Sequence, residues 1–137
     1  MHHTKEKGDY GVLKVQCEYS KNGYIIMNPM TEHSPFDFVA YKNGIFQRVQ
    51  VKYRTMVNGK ITLPFRTSWN DRNGSHSRYY NFNEVDVFAV YCPDNDKCYF
   101  LKSDDVKGKK SIDLRILPAK NHQKENIIMA ENYVNIP

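Results

Sequence analysis

Cysteine is scarce in this 137-residue chain, which has only Cys17, Cys92 and Cys98. An odd count without framework spacing excludes a disulfide-stapled scaffold and fits a reducing cytoplasm, with the thiols packed as small apolar groups. The six-residue step from Cys92 to Cys98 and five scattered histidines match no zinc-ligand spacing. No apolar run approaches the roughly 20 residues that a membrane span requires, and no secretory pattern marks the N-terminus. A membrane partner is therefore not expected. Internal repeats and low-complexity segments are also missing. What is abundant is aromatic surface: ten tyrosines and seven phenylalanines, in a chain that is 40% hydrophobic. That composition excludes a disordered protein, and this length suits one domain with a real core.

The net charge of +5 comes from twenty Lys and Arg against fifteen acids, and it favours a polyanionic partner. The cations are clustered. Lys107, Lys109, Lys110, Arg115, Lys120 and Lys124 share eighteen residues with a single acid, Asp113. Arg66, Arg72 and Arg78 are interleaved with Trp69, His76, Tyr79, Tyr80 and small polar residues, the make-up of a segment that reads a groove.

Helical spacing of Tyr10, Leu13 and Cys17, widened by Val12, Val15 and Tyr19, predicts a first helix from about Thr4, stopped at Asn22-Gly23. Tyr24 to Met27 reads as a short buried strand. Phe36 to Tyr41 and Ile45 to Tyr53 read as a hairpin around Lys42-Asn43-Gly44. Another strand is expected over Lys60 to Arg66, then a loop or irregular hairpin from Thr67 to Glu84. Val85 to Tyr91 is the most apolar run and predicts a central strand, which Pro93 to Asp96 turns into Lys97 to Leu101. Ser111 to Ile116 reads as an edge strand and Ile127 to Tyr133 as a short docked helix. Cys92 and Cys98 are expected in the core, and Asp86 in an ion pair with an arginine. One helix, several strands and late helical pieces give an α/β (α+β) fold with a mixed sheet.

Lys52 lies fifteen positions beyond Asp37, at the far end of the predicted hairpin. Alternation along a strand sends Gln50 and Lys52 to the same face. A twisted hairpin thereby gathers a carboxylate, an amide oxygen and an ammonium around one point. That trio suits phosphodiester hydrolysis, with Asp37 and Gln50 holding Mg²⁺ and Lys52 orienting water or neutralising phosphate charge. Glu32 and His33 precede the aspartate and are expected at the rim of the same cleft.

Lys7-Gly8-Asp9-x-Gly11, Asn22-Gly23-Tyr24, Pro35-Phe36-Asp37 and Val49-Gln50-Val51-Lys52, in this order and spacing, resemble the PD-(D/E)XK nuclease superfamily. The later segments Asp86 to Pro93, Asp96 to Tyr99 and Leu114-Arg115 look like its branch of bacterial group I intron-encoded homing endonucleases. Archaeal Holliday-junction resolvases share a related opening. The resemblance implies a restriction-endonuclease-like core over residues 1–117, a DNA-contacting insertion at about 66–84, and a docking or oligomerisation tail over 118–137. It further implies Mg²⁺, or Mn²⁺ in its place, double-stranded DNA as substrate, a homodimer or homotetramer, and a bacterial or phage cytoplasm. By position, Asp37 would be the metal-binding carboxylate and Lys52 the catalytic lysine. Val51 would offer its carbonyl oxygen to the metal, and Arg54 would touch the DNA backbone alongside Arg66, Arg72, Arg78, Lys107, Lys109 and Lys110.

Two positions depart from that pattern. Gln50 fills the second-acid slot, and Val12 stands where many members of the superfamily carry a helix glutamate. Asp9, about one turn earlier, is the available substitute. The expected activity is site-specific cleavage of duplex DNA. The alternatives are a junction-resolving nuclease and a catalytically impaired DNA-binding protein of the same fold.

Overall fold

A computed structural model describes residues 3–118 and 127–137. The first helix, α1, runs Thr4–Lys21, opened by a His3 side chain that accepts from the Lys5 amide and closed at Asn22-Gly23. Its buried positions Gly11, Val15 and Tyr19 recur every four residues, so one stripe faces the sheet. Gly11 sits on that stripe because the helix approaches β3 (Ile45–Tyr53) closely there: a Cβ at Gly11 would lie 3.4 Å from that of Tyr53.

The main sheet has five strands. β1 (Ile25–Met27) and β2 (Phe38–Lys42) pair antiparallel, β2 pairs antiparallel with β3, β3 pairs parallel with β7 (Val87–Cys92), and β7 pairs antiparallel with β8 (Lys97–Lys102). The turn joining β2 and β3 places both Asn43 and Gly44 at positive φ, which is why Asn-Gly stands there. The intervening β4 (Lys60–Pro64), β5 (Arg66–Asp71) and β6 (Gly74–Tyr79) are followed by a 3₁₀ turn at Phe82–Glu84. β4 joins β9 (Ser111–Arg115) and β10 (Ile128–Met129) in a second sheet, while β5 and β6 form a separate two-stranded ribbon. A short α2 (Ser103–Val106) precedes β9, and a 3₁₀ turn at Ala130–Tyr133 follows β10.

All six residues of β7 are buried because it is covered on both faces. On one face Val87, Ala89 and Tyr91 meet Val15, Tyr19, Phe38 and Phe100. On the other, Phe88, Val90 and Cys92 meet Ile61, Leu63 and Leu114 from the second sheet, with Phe65 just beyond β4. Arg48 and Asp86 form a two-pronged ion pair with both contacts at 2.9 Å, locking the entry of β7 to β3.

The fold is the mixed α/β arrangement expected, with several local differences. β1 is an edge strand, not a buried one: Ile25 is 60% and Met27 38% exposed, since β2 covers only one of its edges. β9 lies in the middle of its sheet rather than at an edge, because β10 adds beside it. β4 ends at Pro64, and Arg66 opens the ribbon instead of closing the preceding strand. β7 is the interior strand expected, flanked by β3 and β8. Residues 127–133 form a two-residue strand and a 3₁₀ turn in place of a helix. Cys92 is buried, whereas Cys98 is only partly so. Lys120 and Lys124 lie outside the described residues. Among the described helices none is long and apolar enough to cross a membrane.

Phe88 anchors the second layer, with its ring 5.0 Å from Phe65, 5.6 Å from Tyr80 and 5.6 Å from Phe82. Phe88→Ala is expected to lower unfolding free energy by about 3–5 kcal/mol in urea denaturation. A loss under 1 kcal/mol would mean that these rings do not pack on it.

Candidate active site

β2 begins only at Phe38, one residue after Asp37, and that late start shapes the candidate site. The Asp37 amide still donates to the Val49 carbonyl at 2.9 Å, but its side chain turns back, and Oδ2 accepts the Val51 amide at 2.7 Å. A carboxylate thus completes the edge of β3 where the strand partner has run out. In an extended strand the N–H and C=O of one residue point to the same side. The Val51 carbonyl therefore faces the edge occupied by Asp37, beyond the end of β2.

Gln50 pairs with Phe88 and Lys52 with Val90, so both leave the sheet on the face opposite α1. Asp37 and Gln50 line one cavity of about 350 Å³ with Ser34, Arg78, Tyr80 and Glu84. Lys52 stands at its side. Its Nζ donates to the Arg66 carbonyl at 3.1 Å and lies 4.8 Å from the centre of the Tyr80 ring. Both partners belong to the root of the β5–β6 ribbon, and Tyr80 is fixed there by its amide donating to the Phe65 carbonyl at 3.0 Å.

The electrostatics are those of a partly dry pocket. Burial raises the Asp37 carboxyl above its ordinary value, opposed by the Val51 amide and the Lys52 charge and reinforced by Asp9. Burial likewise lowers the Lys52 ammonium to about 8, with Asp37 opposing and Arg54 adding to the drop. The Tyr80 hydroxyl is pushed up to about 12 by burial and by Asp37. Perturbed groups of opposite sign in one cleft make this the candidate site.

The other expected residues divide into three groups. Asp9 is exposed, 3.5 Å from Lys5, and reaches Asp37 through its field without lining the cavity. Val12 packs with the core on the α1 face. Glu32 and His33 are exposed, and the neighbouring Ser34 and Pro35 line the cavity instead. Arg66, Arg72 and Arg78 all lie on the ribbon, where Trp69 stacks on His76 at 5.4 Å and His76 meets Asp71 at 2.9 Å. Lys107, Lys109 and Lys110 are exposed on the turn after α2. The Lys110 carbonyl accepts the Phe65 amide at 3.0 Å, and Lys107 reaches Asn83 at 3.4 Å, so this turn abuts the ribbon root. Arg54 lies beyond the end of β3, its Nε donating to the Thr62 carbonyl at 2.9 Å. Sequence reasoning missed Glu84 as a cavity residue and Tyr80 as the seat of Lys52. The only signal for either was its position at the end of the aromatic-basic segment.

For a divalent cation the cavity offers the Asp37 carboxylate, the Gln50 amide oxygen and the Val51 carbonyl. Among the described residues no three His, Cys, Asp or Glu side chains gather into a metal cluster. An all-oxygen set of low charge fits a hard ion such as Mg²⁺ and does not fit zinc.

A model of the PD-(D/E)XK endonuclease family matches residues 2–136. The chain belongs to this family. Among curated proteins, Protein 5.3 of Escherichia phage T7 is 32% identical over 105 residues that span 73% of this chain and 80% of that protein. Among solved structures, the fold matches a bacterial homing endonuclease, I-Ssp6803I, with a TM-score of 0.75 and 21% identity. The match covers 95% of this chain and 87% of that one. The matched residues include Asp37, Gln50 and Lys52.

Lys52 has a folded-state value near 8 against an ordinary 10.5, so between those limits the unfolded chain binds more protons than the folded one. Stability from this group therefore rises with pH across about 8 to 10.5, and the cost of the buried ammonium is fully present below 8. Lys52→Met is expected to be more stable than the native chain at pH 7, with the difference shrinking as pH climbs to 10.5. Urea unfolding at several pH values checks this, and a variant less stable at pH 7 would show the ammonium to be stabilising.

Proposed function

We propose that this protein is a divalent-metal-dependent endonuclease that cuts double-stranded DNA at specific sites. The observation that carries the reading is the single cavity lined by Asp37 and Gln50, with Lys52 held beside it by the ribbon root. Mg²⁺ would be held by Asp37, Gln50 and the Val51 carbonyl, or Mn²⁺ in its place. The chemistry such a cation supplies is neutralisation of phosphate charge and acidification of water. Asp37 stays put because the Val51 amide fixes one of its oxygens. Lys52, charged at neutral pH and poorly hydrated, stabilises the charge that builds on the scissile phosphate in the transition state. Arg66 and Tyr80 orient its Nζ, which cuts the entropy lost on reaching that state.

The two-stranded ribbon has the width and composition to enter a major groove. Its Arg72 and Arg78 would give base or phosphate contacts, and the turn carrying Lys107, Lys109 and Lys110 would add backbone contacts beside it. Asp9 acts as a distant contributor to the field at Asp37. Gln50 in place of an acid removes one negative charge, so cation affinity is low and millimolar metal is expected. One cavity cuts one strand, so double-strand cleavage calls for a homodimer or homotetramer with a dyad matching that of the DNA.

Asp37→Ala should abolish cleavage of long duplex DNA with Mg²⁺, while duplex binding stays equal or tightens. Chelation should mimic the first effect in the native protein. Mapping the ends on long linear DNA tests the reading itself: discrete cut sites are expected, and faster cutting of four-way junctions or no cutting at all would overturn it. Arg72→Ala or Arg78→Ala should weaken duplex binding and flatten its salt dependence by about one unit of slope. An unchanged slope would remove the ribbon from the DNA.

A further inference from the structure

The C-terminal end of β3, the first turns of α1 and β4 border a second cavity, of about 490 Å³. Lys7, Arg54 and Lys60 line it together with Thr4, Thr55 and Thr62, and none of its lining residues is acidic. Arg54 is held from two sides: its amide donates to the Tyr91 carbonyl at 3.0 Å and its Nε to the Thr62 carbonyl at 2.9 Å. That leaves the terminal nitrogens of the guanidinium for an incoming group. Asp113 stands behind Lys60 at 3.1 Å and also accepts the Thr62 hydroxyl at 2.6 Å. The balance is three cations against one carboxylate, with the hydroxyls of Thr4 and Thr55 as further donors.

We propose that this basin seats a backbone phosphodiester of the same DNA, a few nucleotides from the one at Asp37 and Gln50. The inference rests on the nuclease reading and adds to it a second anchoring point. Gln50 and Arg54 are four residues apart along an extended chain, about 13 Å. That separation is short enough for one DNA backbone to reach both seats. The carboxyl ends of parallel strands are where open α/β sheets present ligands, since the loops there are free of the sheet ladder. The fork of Arg54 matches a phosphate geometrically, and Lys7 and Lys60 act as point charges on either side. A free phosphate ion offers the same chemistry, so the test separates the two sources.

The experiment compares the full chain with its Lys7→Gln/Lys60→Gln double variant. Duplex binding is followed by fluorescence anisotropy across a salt series in EDTA, where nothing is cut, and the fold is checked by circular dichroism. The double variant is expected to bind more weakly, with a slope of log affinity against log salt shallower by about one to two units. The same slope as the native chain would overturn the seat. A parallel titration with inorganic phosphate, read by NMR at the two lysine side chains, gives the other arm. Phosphate saturation with an unchanged DNA slope would make the basin a small-anion site and overturn the proposal. A native chain that binds DNA steeply but never cuts would sink the nuclease reading alone. An active nuclease with an indifferent double variant would sink only the seat.

Discussion

The bond from the Val51 amide to the Asp37 carboxylate is the contact on which the site depends. At 2.7 Å it replaces the ladder bond that β2 would have made had it run one residue further. A charged acceptor on a backbone donor is a stronger bond than the neutral one it replaces, and it leaves the second carboxylate oxygen free. It also explains the register. Asp37 stands opposite Gln50, so its side chain leaves on the face that carries Gln50 and Lys52. α1 packs on the other face, over Val51 and Tyr53, through the closely approaching Gly11. The candidate site and the helix-packed scaffold thereby lie on opposite faces of one strand.

That division has an electrostatic consequence. Placing Asp37 and Lys52 in a partly dry cleft pushes their pKa values toward each other, the acid upward and the ammonium to about 8, while their mutual attraction limits both shifts. A core optimised only for stability would have apolar groups there. The strain is the kind found where function opposes stability. Tyr80 and the Arg66 carbonyl hold the lysine from the ribbon side, so the element that carries the basic side chains also carries the support for Lys52.

Much of this was legible in the chain. The Asn43-Gly44 turn, the apolar run of β7 and the four-residue stripe of α1 each follow from local rules, and they placed the hairpin that joins Asp37 to Lys52. The ion pair of Asp86 was legible too, though not its partner Arg48. Local pattern failed where neighbours decide. β1 is a continuous apolar run and β9 an alternating one, yet β1 is the edge and β9 the interior strand, because edge status depends on whether another segment comes to lie alongside. Glu84 and Tyr80 enter the cavity only because the chain leaving the ribbon returns beside β3, and no spacing in the sequence encodes that return.

The sequence by itself determined the secondary structure around the site and the polar residues on one face of β3. These depend on alternation, turn residues and composition, which act within a few residues. The tertiary structure alone decided that Asp37 closes onto Val51, that Lys52 is seated by Arg66 and Tyr80, and that Lys7, Arg54 and Lys60 share a basin. Each of those meetings joins segments separated by an intervening loop or strand, and only the packing of the layers around β3 and β7 brings them within reach.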